Sequence, residues 1–238
     1  MAGHSKWANI KHKKERADAQ KGKIFSRMAK EIISAVKIGG PDPKSNPRLR
    51  LAIQKAKSAN VPVDNIERNI KKAAGSGKED FVELTYEMYG HGGVGIVIEI
   101  LTDNKNRIAS DMRIATHKRG GTIAQPGSVL FNFERKGVIQ VEKESSDEGT
   151  LFQIALEAGA EDLEVATEGY MITTDPSELY TVKERLDEKG IAVAEADIEM
   201  IPNTLIECDE KTSQANQDLI AWLEELDDVR AVYHNMDL

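Results

Sequence analysis

Apolar residues recur about every four positions through Ile24, Phe25, Met28, Ile32 and Val36, the period of one helix face. Lys23, Arg27, Lys30 and Lys37 fall off that stripe, and Gly39-Gly40 followed by Pro41 and Pro43 ends the helix. Asn46-Pro47 opens a second helix, with Asn as N-cap, Pro in the first turn, and Leu49, Ile53 and Ala56 turned inward. A third is expected from Asp64, with Asp64 and Glu67 as a capping box and Ile66, Ile70 and Ala73 as its buried side. Three short helices with short connections predict a small bundle, left by the flexible run Gly75-Ser76-Gly77-Lys78.

The period then changes from four to two. Leu84, Tyr86 and Met88 alternate with polar residues and predict a strand. The glycine loop Gly90 to Gly95 leads into a buried strand, Ile96 to Leu101. Asp103 is expected to cap a helix that buries Ile108, Met112 and Ala115 and closes at Gly120-Gly121. Thr122 to Ala124 predicts a short strand, and Val129 to Phe133 another. From Gly137 the order is strand (Val138 to Val141), helix (Thr150 to Ala158), and a hairpin of Leu163 to Ala166 with Tyr170 to Thr173 about Glu168-Gly169. A helix from Asp175-Pro176 to Lys189-Gly190 follows, then a strand from Ala192 to Met200 with Glu195, Asp197 and Glu199 on its wet face. That is β-α-β-β-α-β, the ferredoxin-like order. Thr204 to Glu207, a helix from Ser213 to Leu226 and Val229 to Tyr233 give β-α-β again.

Residues 81–135 and 203–238 each read as half of a domain. The expected class is therefore multi-domain, α plus α+β. A basic helical domain, 1–78, precedes two ferredoxin-like α+β domains. One of these, 136–202, is inserted into the other, 81–135 plus 203–238. The weaker alternative is a linear array of three units.

Charge sharpens this division. Residues 1–78 carry 19 Lys/Arg against 6 Asp/Glu, a net of +13, and the remainder carries 13 against 34, a net of −21. The chain total of −8 therefore hides a strongly basic module. Such a module suits a polyanion, because each phosphate neutralised by Lys or Arg releases a condensed counterion. No apolar run approaches the ~20 residues of a membrane span. The basic start lacks the apolar stretch of a secretory signal. One cysteine, Cys208, excludes an internal disulfide framework and fits a reducing cytoplasm.

Few residues invite chemistry. Gly90-His91-Gly92-Gly93-Val94-Gly95 fits G-x-G-x-x-G, but it leads into a strand, whereas a dinucleotide fingerprint opens a helix. It reads as a tight turn. Gly75-Ser76-Gly77-Lys78 lacks the first glycine of a P-loop and has Glu79 where Ser or Thr belongs. His4, His12, His91, His117 and His234 are scattered without metal-ligand spacing. Cys208 lies between Glu207 and Asp209, whose charges disfavour a thiolate. No acid pair stands out as catalytic. No enzyme activity, metal or cofactor is therefore expected.

What survives is the opening run. Lys6, Lys11, Lys13, Lys14, Arg16, Lys21, Lys23 and Arg27 are the phosphate-holding candidates, with His12 among them. Trp7 offers a ring to stack on a base or to pack on the bundle.

The same residues carry a resemblance. Met1-Ala2-Gly3-His4-Ser5-Lys6-Trp7-Ala8-Asn9-Ile10-Lys11-His12-Lys13 resembles the opening of the YebC family. So do Gly39-Gly40-Pro41-Asp42-Pro43, Leu101-Thr102-Asp103-Asn104-Lys105-Asn106-Arg107 and Phe133-Glu134-Arg135-Lys136-Gly137-Val138-Ile139, and the likeness spans essentially the whole chain. The resemblance implies a helical N-terminal domain and two α+β domains, and a transcriptional regulatory role with DNA binding. The family also includes a mitochondrial translational activator, and bacterial members are linked to ribosomes stalled on proline-rich sequence. The chain departs from the family at His91, where many members have Pro. The partner expected on both grounds is nucleic acid, either DNA or ribosomal or transfer RNA, with the ribosome itself as an alternative.

Overall fold

The structure is a computed structural model that describes residues 21–75, 81–166 and 169–237. Predicted features at 1–20, 76–80, 167 and 168 lie outside these residues. The described chain folds as helices and two four-stranded antiparallel sheets, in two compact units: residues 132–204, and the remainder on either side of them.

In the larger unit, helices α1 (Lys21–Gly39), α2 (Pro47–Ser58) and α3 (Val63–Ala74) bury Ile32, Ala35, Val36, Leu49, Ala52, Ala56 and Ile66 together. Phe25 was expected on this stripe, yet it lies on the first turns of α1 and stays 43% exposed. Asn46 caps α2 as expected and also joins two helices. Its Oδ1 accepts from Leu49 N at 3.0 Å, and its Nδ2 donates to Ala35 O and Gly40 O at 2.8 Å each. The α3 start differs from expectation: the helix begins at Val63 after Pro62, with no side-chain cap. Asp64 therefore lies inside the first turn, where its charge suits the helix dipole, and cannot be the N-cap of a box with Glu67.

The sheet of this unit has spatial order β8-β2-β1-β3, with β1 Val82–Tyr89, β2 Gly95–Thr102, β3 Thr122–Ile123 and β8 Val229–His234. Helix α4 (Lys105–Arg119) links β2 to β3, and α7 (Glu210–Glu224) leads into β8. Ile96, Ile98 and Ile100 alternate onto one face and meet Ile108, Met112 and Ala115 of α4 and Leu219, Ile220 and Leu223 of α7. Each buried aliphatic side chain contributes about 1.5–3 kcal/mol.

Three local expectations are corrected here. Asn104, and not Asp103, caps α4, accepting from Asn106 N at 3.1 Å and Arg107 N at 3.0 Å. Asp103 instead pairs with Arg107 at 2.7 Å. The strand expected at Val129 to Phe133 is a 3-10 turn, Leu130–Asn132, because Glu87 gathers the backbone there. Its carboxylate accepts from Gly127 N at 2.5 Å and from Val129 N and Leu130 N at 2.7 Å each. The strand expected from Thr204 shrinks to a single bridge between Ile206 and Met236.

Unit 132–204 contains β4 (Phe133–Glu142), α5 (Glu148–Glu157), β5 (Ala160–Val165), β6 (Gly169–Thr174), α6 (Leu179–Glu188) and β7 (Val193–Pro202). Its spatial order, β7-β4-β6-β5, is the fourth, first, third and second strand of the unit. This is the ferredoxin-like arrangement, in which each crossover helix spans an intervening antiparallel strand. The other sheet has the same spatial plan with its chain order permuted. There β1 enters between β2 and β3, and the Gly90 loop joins it to β2. Helix α6 starts later than expected, at Leu179, because the Asp175 carboxylate is spent on a turn, accepting from Ser177 N at 2.8 Å. Glu199, expected on a wet face, is only 7% exposed.

Two buried carboxylates stay ionised against the cost of burial. Burial opposes the charge of Glu87, but its three backbone donors outweigh that and hold its pKa below the ordinary carboxylate value. A lowered folded pKa means stability that is full above the unfolded pKa, about 4.3, and lost as pH falls through the folded value. Glu87→Gln should lower stability at neutral pH by about 1–3 kcal/mol. Denaturant unfolding should show a smaller fall between neutral and acid pH in the variant than in the wild type.

Asp228, 4% exposed, is a second such group. Burial again opposes its charge, and bonds from Lys30, Arg107 and Thr102 lower its pKa overall. Asp228→Asn should destabilise the protein by roughly 1–3 kcal/mol, read as a lower urea midpoint with an unchanged slope.

Candidate nucleic-acid interface

Lys6, Trp7, Lys11, His12, Lys13, Lys14 and Arg16 lie outside the described residues. Lys21 opens α1, and its side chain is also outside that set. The structure therefore places two of the candidates, Lys23 and Arg27, and both are turned toward the protein itself. Lys23 Nζ donates to Glu225 O and lies 4.0 Å from an Asp227 carboxylate oxygen. Arg27 Nη2 donates to Glu224 O, and to Leu226 O at 3.4 Å. Lys30 continues the row, bonding Asp227 O at 2.9 Å and Asp228 Oδ1 at 2.8 Å.

Positions 23, 27 and 30 are spaced by four and three, so they share one helix face. That face meets the C-terminal end of α7, where unpaired carbonyls and the negative end of the helix dipole attract cations. Arg27 is half-buried there, and desolvation lowers its pKa against the opposing pull of Glu224, Asp227 and Glu31.

Asp228 is the hub of this contact. Its Oδ2 accepts from Arg107 Nη2 at 2.7 Å, Arg107 Nε at 2.9 Å and Thr102 Oγ1 at 3.0 Å, while Oδ1 takes Lys30. Arg230 Nε with Glu31 at 3.1 Å, and Arg48 with Glu83, add further ties between bundle and sheet.

Other cations face outward. Lys57, Arg68 and Lys71 are exposed on α2 and α3. On α4, Lys105, Arg113, His117, Lys118 and Arg119 are exposed. Lys118 Nζ and Arg119 Cζ stand 5.3 Å and 5.2 Å from the centre of the Trp222 ring. The sequence reading passed over this α4 group. Its signal was the run His117-Lys118-Arg119, which in a last turn also reads simply as dipole complement.

The glycine loop behaves as a turn. Gly92 and Gly93 take φ of 68° and 81°, and Gly90 N donates to Val94 O at 2.7 Å. The fully buried Asn216 holds the loop, accepting from His91 N at 2.8 Å and donating to His91 O at 3.0 Å. A Cβ at Gly90 would sit 2.3 Å from Asn216 Oδ1, so this close approach requires glycine. The His91 ring bonds Arg119 O at 2.8 Å through Nε2, which must therefore be the protonated nitrogen.

Burial and the Asp209 charge push the Cys208 thiol up, as its neighbours suggested. Among the described residues no group of three or more His, Cys, Asp or Glu could hold a metal. No helix among them is long and apolar enough to cross a membrane.

Comparison with known proteins agrees with the resemblance seen in the sequence. Residues 5–76 match the family described as TACO1/YebC protein N-terminal domain, and residues 81–236 match TACO1/YebC second and third domain. The chain is 64% identical over 238 residues to a probable transcriptional regulatory protein of Protochlamydia amoebophila, covering 100% of this chain and 97% of that one. It is 60% identical over 237 residues to a protein of the same description from Chlamydia pneumoniae, covering 99% and 100%. The fold resembles the crystal structure of a conserved hypothetical protein from Aquifex aeolicus, with TM-score 0.83, 46% identity, and 92% and 91% of the two chains covered. On these matches, which together span nearly its whole length, the chain belongs to the TACO1/YebC family.

Proposed function

We propose that the protein is a non-enzymatic regulator of gene expression that binds nucleic acid through its basic N-terminal part. The observation that carries this reading is the charge split: +13 over residues 1–78 in a chain of net −8. Names of close relatives as probable transcriptional regulatory proteins support the regulatory half of the reading. The row Lys23, Arg27 and Lys30 is spent on the end of α7, so the phosphate contacts fall mainly to Lys6, Lys11, Lys13, Lys14 and Arg16, with Trp7 and His12 among them. Lys23 and Arg27 then hold α1 against the end of α7. Residues 1–78 serve as the binding module, 81–135 plus 203–238 as a second domain, and 136–202 as a third.

A second reading, ribosome-associated action on ribosomal or transfer RNA, is favoured by the −21 carried by the rest of the chain. Long duplex DNA would repel that charge on either side of a site, whereas a folded RNA with protein nearby tolerates it. Lysine, a point charge for phosphate, also outnumbers the Arg and Asn that usually read bases in the basic run.

Replacing Lys11, Lys13 and Lys14 together with Glu should abolish binding and leave the urea midpoint unchanged. Wild-type affinity should fall with salt, each phosphate contact contributing about −0.9 to the log–log slope on duplex DNA or about −0.7 on single strands. A flat wild-type affinity between low and moderate salt defeats the proposal. Lysate sedimentation at low salt separates the two readings. Wild type in the ribosomal fractions, with the lysine variant released, supports the RNA reading. Protection of a defined promoter supports the DNA reading.

Limited proteolysis tests the module boundary. The first cut should fall within 75–80, and the fragments should part only at raised salt or in Asp228→Asn, because the Lys30–Asp228 contact bridges them. A first cut inside 140–200 means the boundary is misplaced.

A further inference from the structure

Helix α4 carries an outward stripe without an acid. Ile108, Met112 and Ala115 face the core of the larger unit. Asn106, Ser110, Arg113 and His117 recur on the opposite side at steps of four, three and four, and all are exposed. Lys118 and Arg119, also exposed, extend the stripe around the last turn, and Lys105 stands exposed in the first. The acids nearby are off this stripe. Asp103 is paired with Arg107 at 2.7 Å, and Asp111 is half-buried on a flank.

Among the described residues, no carboxylate pairs with Lys105, Arg113, His117, Lys118 or Arg119. That is unusual for this part of the chain, where residues 79–238 hold 13 Lys/Arg against 34 Asp/Glu. Five of those 13 lie on α4, and of the five Arg107 alone is spent on carboxylates, those of Asp103 and Asp228. The helix dipole accounts for His117, Lys118 and Arg119 in the last turn. It accounts neither for Arg113, which lies before that turn, nor for the lack of acid along the stripe.

Helix α7 holds two of these cations in place. Trp222 packs against the core, and Lys118 Nζ and Arg119 Cζ lie 5.3 Å and 5.2 Å from the centre of its ring. Side chains already held lose less freedom when a ligand arrives. The acid one turn before Trp222, Asp218, is engaged on its own helix, accepting from Gln214 at 2.9 Å. From Lys105 to Arg119 the helix rises about 21 Å. One nucleic-acid strand carries about six phosphates over that length.

We infer that the outer side of α4 is a second phosphate-backbone contact. A nucleic-acid strand runs along the stripe, its phosphates held by Arg113, Lys118 and Arg119, with His117 between them and Lys105 at the far end. The inference rests on the reading that the protein meets nucleic acid, and adds to the basic N-terminal part a site in the acidic remainder of the chain. A region of net −21 then turns a cationic face to the polyanion.

Anisotropy of a fluorescein-labelled oligouridylate, and of a labelled DNA duplex, titrated with full-length protein across a range of salt tests the contact. Arg113→Gln, Lys118→Gln and Arg119→Gln together should make the log–log slope shallower by about 2 on the RNA, three contacts at about 0.7 each, or by about 2.7 on the duplex. The charge-keeping set Arg113→Lys, Lys118→Arg and Arg119→Lys should retain the wild-type slope. So should Lys143→Gln, Arg185→Gln and Lys189→Gln together, which remove the same charge from unit 132–204. Trp222 gives a local readout. In Trp7→Phe protein its emission should change when unlabelled oligouridylate is added, and the change should be absent from the α4 Gln variant at saturating RNA. An unchanged slope in that variant, an equal loss in the unit 132–204 control, Trp222 emission indifferent to RNA, or poly-glutamate competing as well as RNA overturns the inference. An unchanged α4 slope together with binding lost in the Lys11, Lys13 and Lys14 variant leaves the N-terminal reading standing alone. A shallower α4 slope with binding kept in that variant upholds the α4 contact and defeats the N-terminal one. Wild-type affinity that is flat with salt defeats both.

Discussion

The carboxylate of Asp228 is the constraint on which the larger unit depends. It is taken out of water at the start of β8 and kept ionised by Lys30 from the bundle, Arg107 from α4 and Thr102 from the end of β2. A buried charge is costly unless it is paired and hydrogen-bonded, so these partners cannot drift independently. One side chain thereby fixes the approach of α1 to the sheet and the start of α4. The row Lys23, Arg27 and Lys30 extends the same contact along the end of α7, where the dipole and the open carbonyls already favour cations. The helices are thus oriented on the sheet chiefly by charge, while their own core holds them together.

The two sheets show a second constraint. Both place an antiparallel strand between the two strands that a crossover helix connects, and both bury one face under two helices. The spatial solution is shared because right-handed crossovers and one-sided burial leave few alternatives. The chain order is not shared. In the larger unit the hairpin β1–β2 comes first, and the turn between its strands depends on Gly90, Gly92 and Gly93 and on the buried Asn216. His91 fits this turn because its backbone is held at both N and O and its ring caps the end of α4.

The cations of the basic part divide into two kinds. Those on the inner row of α1 hold structure, and their charge is offset by carbonyls and carboxylates nearby. Others, such as Lys57, Arg68 and Lys71, stand on exposed faces where a polyanion could meet them. A net charge counts both kinds alike, so it overstates the number of lysines and arginines left facing solvent.

What the sequence determined by itself was whatever depends on neighbours along the chain. The periods of four and two placed the helices and most of the strands, because burial of one face imposes them. Asn46-Pro47, the Gly39-Gly40 stop, the Gly90 turn and the β-α-β-β-α-β order after Gly137 were legible for the same local reason. The basic opening and its family likeness were legible as well. The tertiary structure decided what depends on partners far off. Glu87 turned an expected strand into a loop by taking three N–H groups from residues 40 or more positions away. Glu199 is buried although it alternates with the other positions of its strand in the way a wet face would, and alternation alone cannot say which of two faces meets water. Lys23 and Arg27 look like any exposed helix cations until α7 is brought beside them from roughly two hundred residues away. An ion pair of that separation leaves no period in the sequence, since charge acts through space and has no preferred spacing along the chain.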